Sequence, residues 1–391
     1  MLFIHKTVSL CDHCYAHIPG NVIENNNLIK LIKRCPEHGE MTSIIEIDKE
    51  FYYSLNHAKI ESRFNNILFE ASDKCQLTCP HCYHLPDNQT QDRPVEEILA
   101  QVSTFPRQVL PMFAGAESTL RSDFVEVCQK ISAMGYSLDI LTNGIRFANK
   151  DFALSSWNAG LRHACIGLNH WSYQGTTIHN KQLAGIRNLL DIGYTIGYIG
   201  YTMETLDHVP DILEEIETIR HSNIWHYRIR CGSFIGRSSD QERSYLSNLL
   251  KRVEEYYGSP VEYVGSDDNP YHIMVRAPTG AILRLIQWPD VTNIDMEELN
   301  TGPWCQFYNG PITNFVHQVI TRDAYKNMKL PQKDTAPKRY QYKPINETGH
   351  DYWKHGWTGP IEVTELDWSY IDPPKKQFDI KIESERRLMD K

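Results

Sequence analysis

No apolar stretch in this 391-residue chain runs long enough to cross a membrane, and its opening residues, MLFIHKTVSLCDHC, lack the cationic start, apolar core and small-residue cleavage site of a secretory signal. Positive charge is short as well: 40 Lys and Arg against 49 Asp and Glu leave a formal charge of −9, with no basic stripe. That argues against naked nucleic acid as a partner. No internal repeat is visible. The expectation is a soluble cytoplasmic protein, and in that reducing compartment clustered cysteines more often bind metals or do redox chemistry than form disulfides. An apolar fraction of 41 % is ordinary for a globular chain, and the length suits two or three domains or one large barrel with additions.

From residue 66 onward, apolar β-type runs alternate with helical patterns. The runs are NILFEAS, QVLPMFAG, SLDILTNG, HACIGLNH, YTIGYIGYTME and IWHYRIRC; between them lie SDFVEVCQKISAMG, KQLAGIRNLLDIG and DHVPDILEEIETIRHS. Strands and helices in this alternation predict an α/β fold, a parallel sheet with right-handed crossovers curled into a partial or full barrel. Sites in such folds gather at the C-terminal ends of the strands. A long helical pattern, SDQERSYLSNLLKRVEEYYG, closes the repeat, and VEYVGSDDNPYHIMVRAPTGAILRLIQW reads as strands with a Pro-Thr-Gly turn, an antiparallel, β-rich C-terminal addition. The expected division is a metal-stapled module over 1–47, the barrel over 48–260, a capping region over 261–330 and an irregular tail over 331–391.

CQLTCPHC puts Cys75, Cys79 and Cys82 directly after the first strand of the repeat. Three thiolates on one short loop suit a 4Fe–4S cubane, in which they hold three irons and leave the fourth open to a non-protein ligand. A zinc knuckle or incidental buried cysteines are the other readings of the same spacing. The four remaining dispersed cysteines are Cys128 and Cys165, expected in the core, Cys231 at the end of the sixth strand, and Cys305 in TGPWCQFYNG.

The pattern CxxxCxxC after the first strand of an α/β repeat resembles the signature of the radical S-adenosylmethionine (SAM) superfamily. The resemblance extends over about residues 66–260 and implies a partial (β/α)6 barrel, a cluster whose open iron is chelated by SAM, and reductive cleavage of SAM to a 5′-deoxyadenosyl radical. It also implies a reductant such as flavodoxin or ferredoxin. His81 stands where the family usually has an aromatic residue that packs on adenine. FAGAESTLRSDF is similar to the family's Gly-Gly-Glu-Pro segment, with Gly115 and Glu117 retained but Ala116 and Ser118 substituted. Glu117 would accept from the SAM ammonium. Asn143 in LTNG and Asn169 would face ribose hydroxyls, though Asn143 also reads as a plain Asn-Gly turn. Arg230 would grip the SAM carboxylate, with Arg228 on the same strand face as the competing choice.

CDHC and CPEH supply Cys11, Cys14, Cys35 and His38, two ligand pairs spaced as in a zinc ribbon. Rubredoxin-like iron would use the same geometry, and the histidine favours zinc; His13 and His17 are competing donors. This front end resembles that of the tetraether lipid synthase and pterin methylase subgroup. The clustered cysteines that those relatives carry for auxiliary clusters have no counterpart here. Some radical SAM epimerases return a hydrogen atom from a thiol, a role open to Cys305 or Cys231 beside the alternative of a buried thiol with no role. The C-terminal addition is expected to cap the barrel mouth, with Arg276, Arg284, Asp290 and His317 as candidate contacts to a small-molecule substrate bearing an anionic group. Hydrogen abstraction from an unactivated carbon leads. Transfer of the aminocarboxypropyl or methyl group of SAM, and a non-catalytic iron–sulfur or zinc protein, are the alternatives.

Overall fold

A computed structural model describes residues 1–14, 16–54, 66–80, 82, 86–103, 105, 110–168, 173–231, 244–266, 272–287, 361–366 and 368. At the N-terminus β1 (Leu2–Leu10), β2 (His17–Asn25), β3 (Leu28–Cys35) and β4 (Gly39–Glu46) form an antiparallel meander. Its tightest turn is made by Asn26 and Asn27, at φ of 54° and 63°. Two consecutive left-handed residues give the primed hairpin turn that matches strand twist, and asparagine tolerates that conformation. Inward positions Ile4, Val22, Ile29, Leu31 and Ile45 pack with Tyr52 of α1 (Lys49–Ser54) into a small core.

That core alone is too small to hold the two cysteine knuckles. Cys11 Sγ and Cys35 Sγ lie 3.5 and 3.4 Å from His38 Nδ1, and Cys14 Sγ lies 3.9 Å from Cys35 Sγ. Tetrahedral zinc, with bonds of about 2.3 Å to sulfur and about 2.0–2.1 Å to nitrogen, requires roughly 3.8 Å between sulfurs and roughly 3.5 Å between sulfur and nitrogen. The four side chains therefore fit one shared ion. Behind the first knuckle Lys33, 0 % exposed, donates to the Leu10 carbonyl at 2.6 Å and to Asp12 Oδ1 at 2.5 Å. A buried ammonium is tolerated only with such partners, and these hold the chain on both sides of Cys11.

The larger unit is a nine-stranded sheet. Six strands, β5 (Asn66–Ser72), β6 (Leu110–Gly115), β7 (Asp139–Thr142), β8 (His163–Leu168), β9 (Thr195–Met203) and β10 (Ile224–Cys231), run parallel in chain order. Helices α2 (Val95–Ser103), α3 (Phe124–Ala133), α4 (Lys150–Asn158), α5 (Thr177–Ile192), α6 (Val209–Ile219) and α7 (Leu246–Tyr257) alternate with them. Sequence chemistry sets their ends: the Thr176 hydroxyl accepts from His179 N at the start of α5, and Gly193, at φ 106°, stops it. In α6 the buried residues Val209, Ile212, Leu213 and Ile216 recur every three or four positions, one apolar stripe against the sheet. Phe69, Phe113, Ile140, Ile166, Ile199 and Ile229 meet such stripes in one continuous core. The opposite face carries a separate cluster that joins Leu68 of β5 to Cys165 of β8 and Tyr198 of β9. Residues of β6 to β10 and of the loop after β5 line one shared cavity, as a curled sheet requires, which makes it the expected partial barrel.

The C-terminal addition differs from expectation in its placement. The strands β11 (Glu262–Ser266), β12 (His272–Arg276) and β13 (Ile282–Ile286) pair antiparallel with each other, but β13 lies parallel to β10 with Arg284 opposite Arg228. The described part of the region thus widens the barrel sheet instead of lying across its mouth. A β13 sequence of Ile, Leu and Leu around one arginine is typical of a strand covered on one face by helices. The meander and the barrel are joined by Glu46, buried at the end of β4. It accepts from Ser247 Oγ at 2.6 Å and Ser247 N at 3.3 Å in the first turn of α7, where a carboxylate complements the helix dipole. Gln287, after β13, donates to the Ile45 carbonyl at 3.4 Å and accepts from Leu246 N at 3.0 Å. Finally β14 (Ile361–Glu362) pairs with Leu2 and Phe3 of β1, and Arg34 stacks 4.2 Å above the Trp368 ring.

Replacing Lys33 by Met should remove both contacts behind the first knuckle. Loss of two charge-assisted hydrogen bonds predicts a stability decrease of about 1.5–3 kcal/mol and faster loss of zinc to a chromogenic chelator. Zinc release at the wild-type rate would show that the buried ammonium does not position the knuckle.

Candidate functional site

The loop after β5 is anchored before it reaches its first thiol. Ala116 N donates to Ser72 O at 3.2 Å and Glu117 N to Lys74 O at 2.8 Å, so the end of β6 grips the end of β5. The approach is close enough to require glycine at Gly115, where φ is 98° and a Cβ would sit 3.0 Å from Ser72 O. Asp92 accepts from Ser72 Oγ at 2.6 Å and pairs with Lys74 at 3.0 Å. The Cys75 amide then donates to Asn88 Oδ1 at 2.9 Å, Leu77 N donates to Cys75 Sγ at 3.4 Å, and Cys82 N donates to Cys79 O at 3.2 Å.

Cys75, Cys79 and Cys82 all line one cavity of about 200 Å³ at the C-terminal ends of the strands, together with Gly115, Glu117, Asn143, Gly167, Tyr198, Gly200, Arg228 and Arg230. Burial, then Glu117 and the two neighbouring thiols, pushes the Cys75 thiol up to about 12. Such a loop disfavours thiolates until bound cations offset their repulsion, which is the requirement that a cysteine-ligated iron cluster meets.

Glu117 is the hub of the site. It is 1 % exposed and accepts from Thr119 Oγ1 at 2.5 Å, Thr142 Oγ1 at 2.9 Å, Asn143 N at 2.7 Å and Thr119 N at 3.4 Å. Burial raises its pKa above the ordinary carboxylate range, with those donors opposing the shift. Its carboxylate therefore ties the end of β6 to the end of β7. Asn143 continues the chain of contacts: its Oδ1 accepts from Gln76 Nε2 at 3.3 Å and from Ile145 N at 3.1 Å, and its Nδ2 faces Cys75 Sγ at 3.9 Å. Gly144 in its left-handed conformation, φ 78°, completes the turn.

Arg230 projects into the cavity with its Nε donated to Thr202 Oγ1 at 2.7 Å, and Arg228 enters it with Cζ 3.5 Å above the Tyr198 ring. Ser118 is turned away: it is fully buried and donates to the Ala114 carbonyl at 3.2 Å. His81, Asn169, Asp290, Cys305 and His317 lie outside the described residues, as does the side chain of Cys231 at the end of β10. Cys128 in the helix-side core and Cys165 in the inner-face cluster are both buried as expected, and Cys165 also lines the cavity. Arg276 is paired with Glu262 at 3.0 Å on an exposed edge. Gly167 and Gly200, opposite each other on β8 and β9, were not singled out by sequence. Their inward parity in CIGL and YIGY is the signal, since two absent side chains at facing positions leave space inside the barrel.

Comparison with known proteins agrees with both units. Residues 3–47 match the HMPTM N-terminal zinc ribbon domain, and residues 69–216 match the Radical SAM superfamily. A 7,8-dihydro-6-hydroxymethylpterin dimethyltransferase of Methanocaldococcus jannaschii is 27 % identical over 188 residues, 40 % of this chain and 37 % of that protein. An Fe-coproporphyrin III synthase of Methanosarcina barkeri is 22 % identical over 235 residues, 53 % of this chain and 57 % of that one. The chain thus spans between about a third and just over half of these relatives' lengths. A crystal structure of Streptococcus suis SuiB bound to S-adenosylmethionine aligns with a TM-score of 0.39 at 15 % identity, over 53 % of this chain and 50 % of that one. Cysteine loop, curled parallel sheet and family matches together identify a radical SAM domain, the catalytic unit of radical SAM enzymes, which this chain carries behind an N-terminal zinc ribbon.

Proposed function

We propose that this protein uses Cys75, Cys79 and Cys82 to hold a 4Fe–4S cluster and cleaves SAM reductively, so that a hydrogen atom is abstracted from an unactivated carbon of a small molecule. The observation that carries the reading is the shared cavity: three loop thiols and polar groups from the ends of β6, β7, β9 and β10 face one space. When bound, the cluster supplies the electron that splits SAM into methionine and a 5′-deoxyadenosyl radical.

The chain's own residues position and enclose. Arg230 is suited to the SAM carboxylate, because a guanidinium can grip a carboxylate in a fork and Thr202 fixes its Nε side. Glu117 lines the cavity with its carboxylate bonded to protein donors, and holds Asn143 and the Gly115–Ala116 backbone where an ammonium and ribose hydroxyls would be met. Gly167 and Gly200 leave room for the nucleoside. Asn169 and His81 keep the parts that the family resemblance gives them, a ribose hydroxyl and the adenine ring; Ser118, fully buried and bonded to the Ala114 carbonyl, is given no contact to SAM. Cys231 and Cys305 are the thiols available to return a hydrogen atom. Methylation is the first product class to examine, since the pterin relative is a dimethyltransferase; rearrangement, epimerisation and coupling use the same first step. The zinc ribbon is assigned a structural part.

Anaerobic reconstitution with iron and sulfide, followed by reduction and addition of SAM, should yield 5′-deoxyadenosine from the wild type and none from Cys79→Ala. Methylthioadenosine in its place would assign aminocarboxypropyl transfer, and a reconstituted cluster that fails to bind SAM would defeat the reading. Two variants should separate space from scaffolding. Gly167→Val meets no clash at its Cβ, whose nearest neighbour is the Thr142 carbonyl oxygen at an ordinary contact distance of 3.9 Å. It should abolish SAM binding while melting temperature and iron content stay at wild-type values. Glu117→Gln, which puts an amide donor among four donors, should lower stability by about 1–3 kcal/mol and weaken SAM binding at the same time.

A further inference from the structure

The barrel interior is divided by charge. On one side Leu68, Met112, Ala114 and Cys165 form an apolar cluster, with Leu141 packed against it. On the other, the inward positions of β10, β12 and β13 carry His226, Arg228, His272 and Arg284, while their neighbours Tyr227, Ile229, Leu283 and Leu285 belong to the helix-side core. Arg228 and Arg284 are direct partners in the β10–β13 register, so two guanidinium groups start from adjacent Cα atoms on the same face.

Contacts within the group keep it together. Arg228 donates Nε to His226 Nε2 at 3.2 Å, and Arg284 Nη2 lies 3.1 Å from His272 Nδ1. A guanidinium nitrogen can only donate, so both imidazoles accept, are neutral, and carry their proton on the other ring nitrogen. For His226, 1 % exposed, that nitrogen is Nδ1, a buried donor without a hydrogen-bond partner among the described residues. Burial, then the charges of Arg228 and Arg284, hold His226 well below the ordinary histidine range, and burial with Arg228 does the same to His272. Arg284 is 6 % exposed. Arg228 opens onto the cavity that the cluster cysteines line. Like charges placed side by side away from water repel strongly, and an anion between them reverses the sign of the interaction.

We propose that Arg228 and Arg284, flanked by His226 and His272, bind an oxyanion group of the substrate, a carboxylate or a phosphate, whose apolar remainder lies against the β5–β8 face. That the ligand is a substrate rests on the radical SAM reading; that it is an anion rests on the strand register. The site is distinct from the one assigned to the SAM carboxylate, because Arg230 lies two residues further along β10 and is directed by Thr202.

Calorimetric titration of the full-length, cluster-free protein with inorganic phosphate, and separately with acetate, tests the proposal in low-salt buffer. The expected result is saturable binding of at least one of the two, weakened about tenfold or more in Arg284→Met, since a charged hydrogen-bond partner is lost. Arg284→Lys, which keeps the charge, should bind with intermediate affinity; it stands in if the methionine variant fails to fold by circular dichroism. Preference between phosphate and acetate identifies the oxyanion. Repeating the titration on reconstituted protein saturated with SAM should leave the affinity unchanged. Displacement by SAM would give the guanidinium pair to the SAM carboxylate and overturn the proposal, as would absence of saturable binding or wild-type affinity in both Arg284 variants. The cluster-free measurement does not involve SAM, so anion binding without any 5′-deoxyadenosine would overturn only the radical chemistry.

Discussion

Three strand ends in this protein meet at one buried carboxylate. Glu117 is bonded through its backbone to Lys74, beside the cluster cysteines, and through its side chain to Thr142 and Asn143. Parallel strands are joined only by distant crossovers, so nothing local fixes how far one strand end stands from the next. A charge with four donors does fix it, because leaving any of those donors unpaired in the interior is costly. The precision of the cavity therefore derives from a group that gives most of its hydrogen-bonding capacity to the protein itself.

The same sheet solves two packing problems on its two faces. Helices cover the outside with side chains such as Ile212, Leu213 and Ile216, and that face obeys the ordinary rule of apolar burial. Among the described residues the inside meets no helix and is filled by the strands' own side chains. It is filled unevenly: leucine, methionine and alanine at one end of the strand order, arginine and histidine at the other, and glycine in between. Space and charge, rather than apolar contact, distinguish the inner face, and both sit next to the thiols.

Much of this was legible in sequence because it is periodic or closely spaced. The six barrel strands and the helices between them follow from runs whose period changes from two to 3.6, and the ligand pairs of the zinc ribbon follow from their spacing. Arg228 and Arg230 were placed on one strand face by parity alone, as β10 shows. What sequence could not supply is which strand lies beside which. The turns predict β11, β12 and β13 as antiparallel neighbours, yet nothing local reveals that β13 runs parallel to β10, and the meeting of Arg228 with Arg284 follows only from that pairing. The role of Glu117 was half legible. Its charge marks it as a candidate for SAM, but the threonines that occupy it come from segments two and 25 residues away. Glu46 and Ser247, 201 residues apart, leave no sequence signal at all.

The short strand β14 has a consequence for the order in which the protein is made. Residues 361–362 complete the edge of a meander whose own four strands are synthesised first. An exposed strand edge is a template for pairing with any other chain, and here it waits while the roughly 315 residues between the end of β4 and β14 are made. At about 5–20 residues per second that interval is about 16–63 s. Throughout it, the metal knuckles can be loaded while β1 is still open on one side. The meander is thus closed by a segment more than three hundred residues downstream, and nascent protein is exposed to edge-to-edge association until that segment is made.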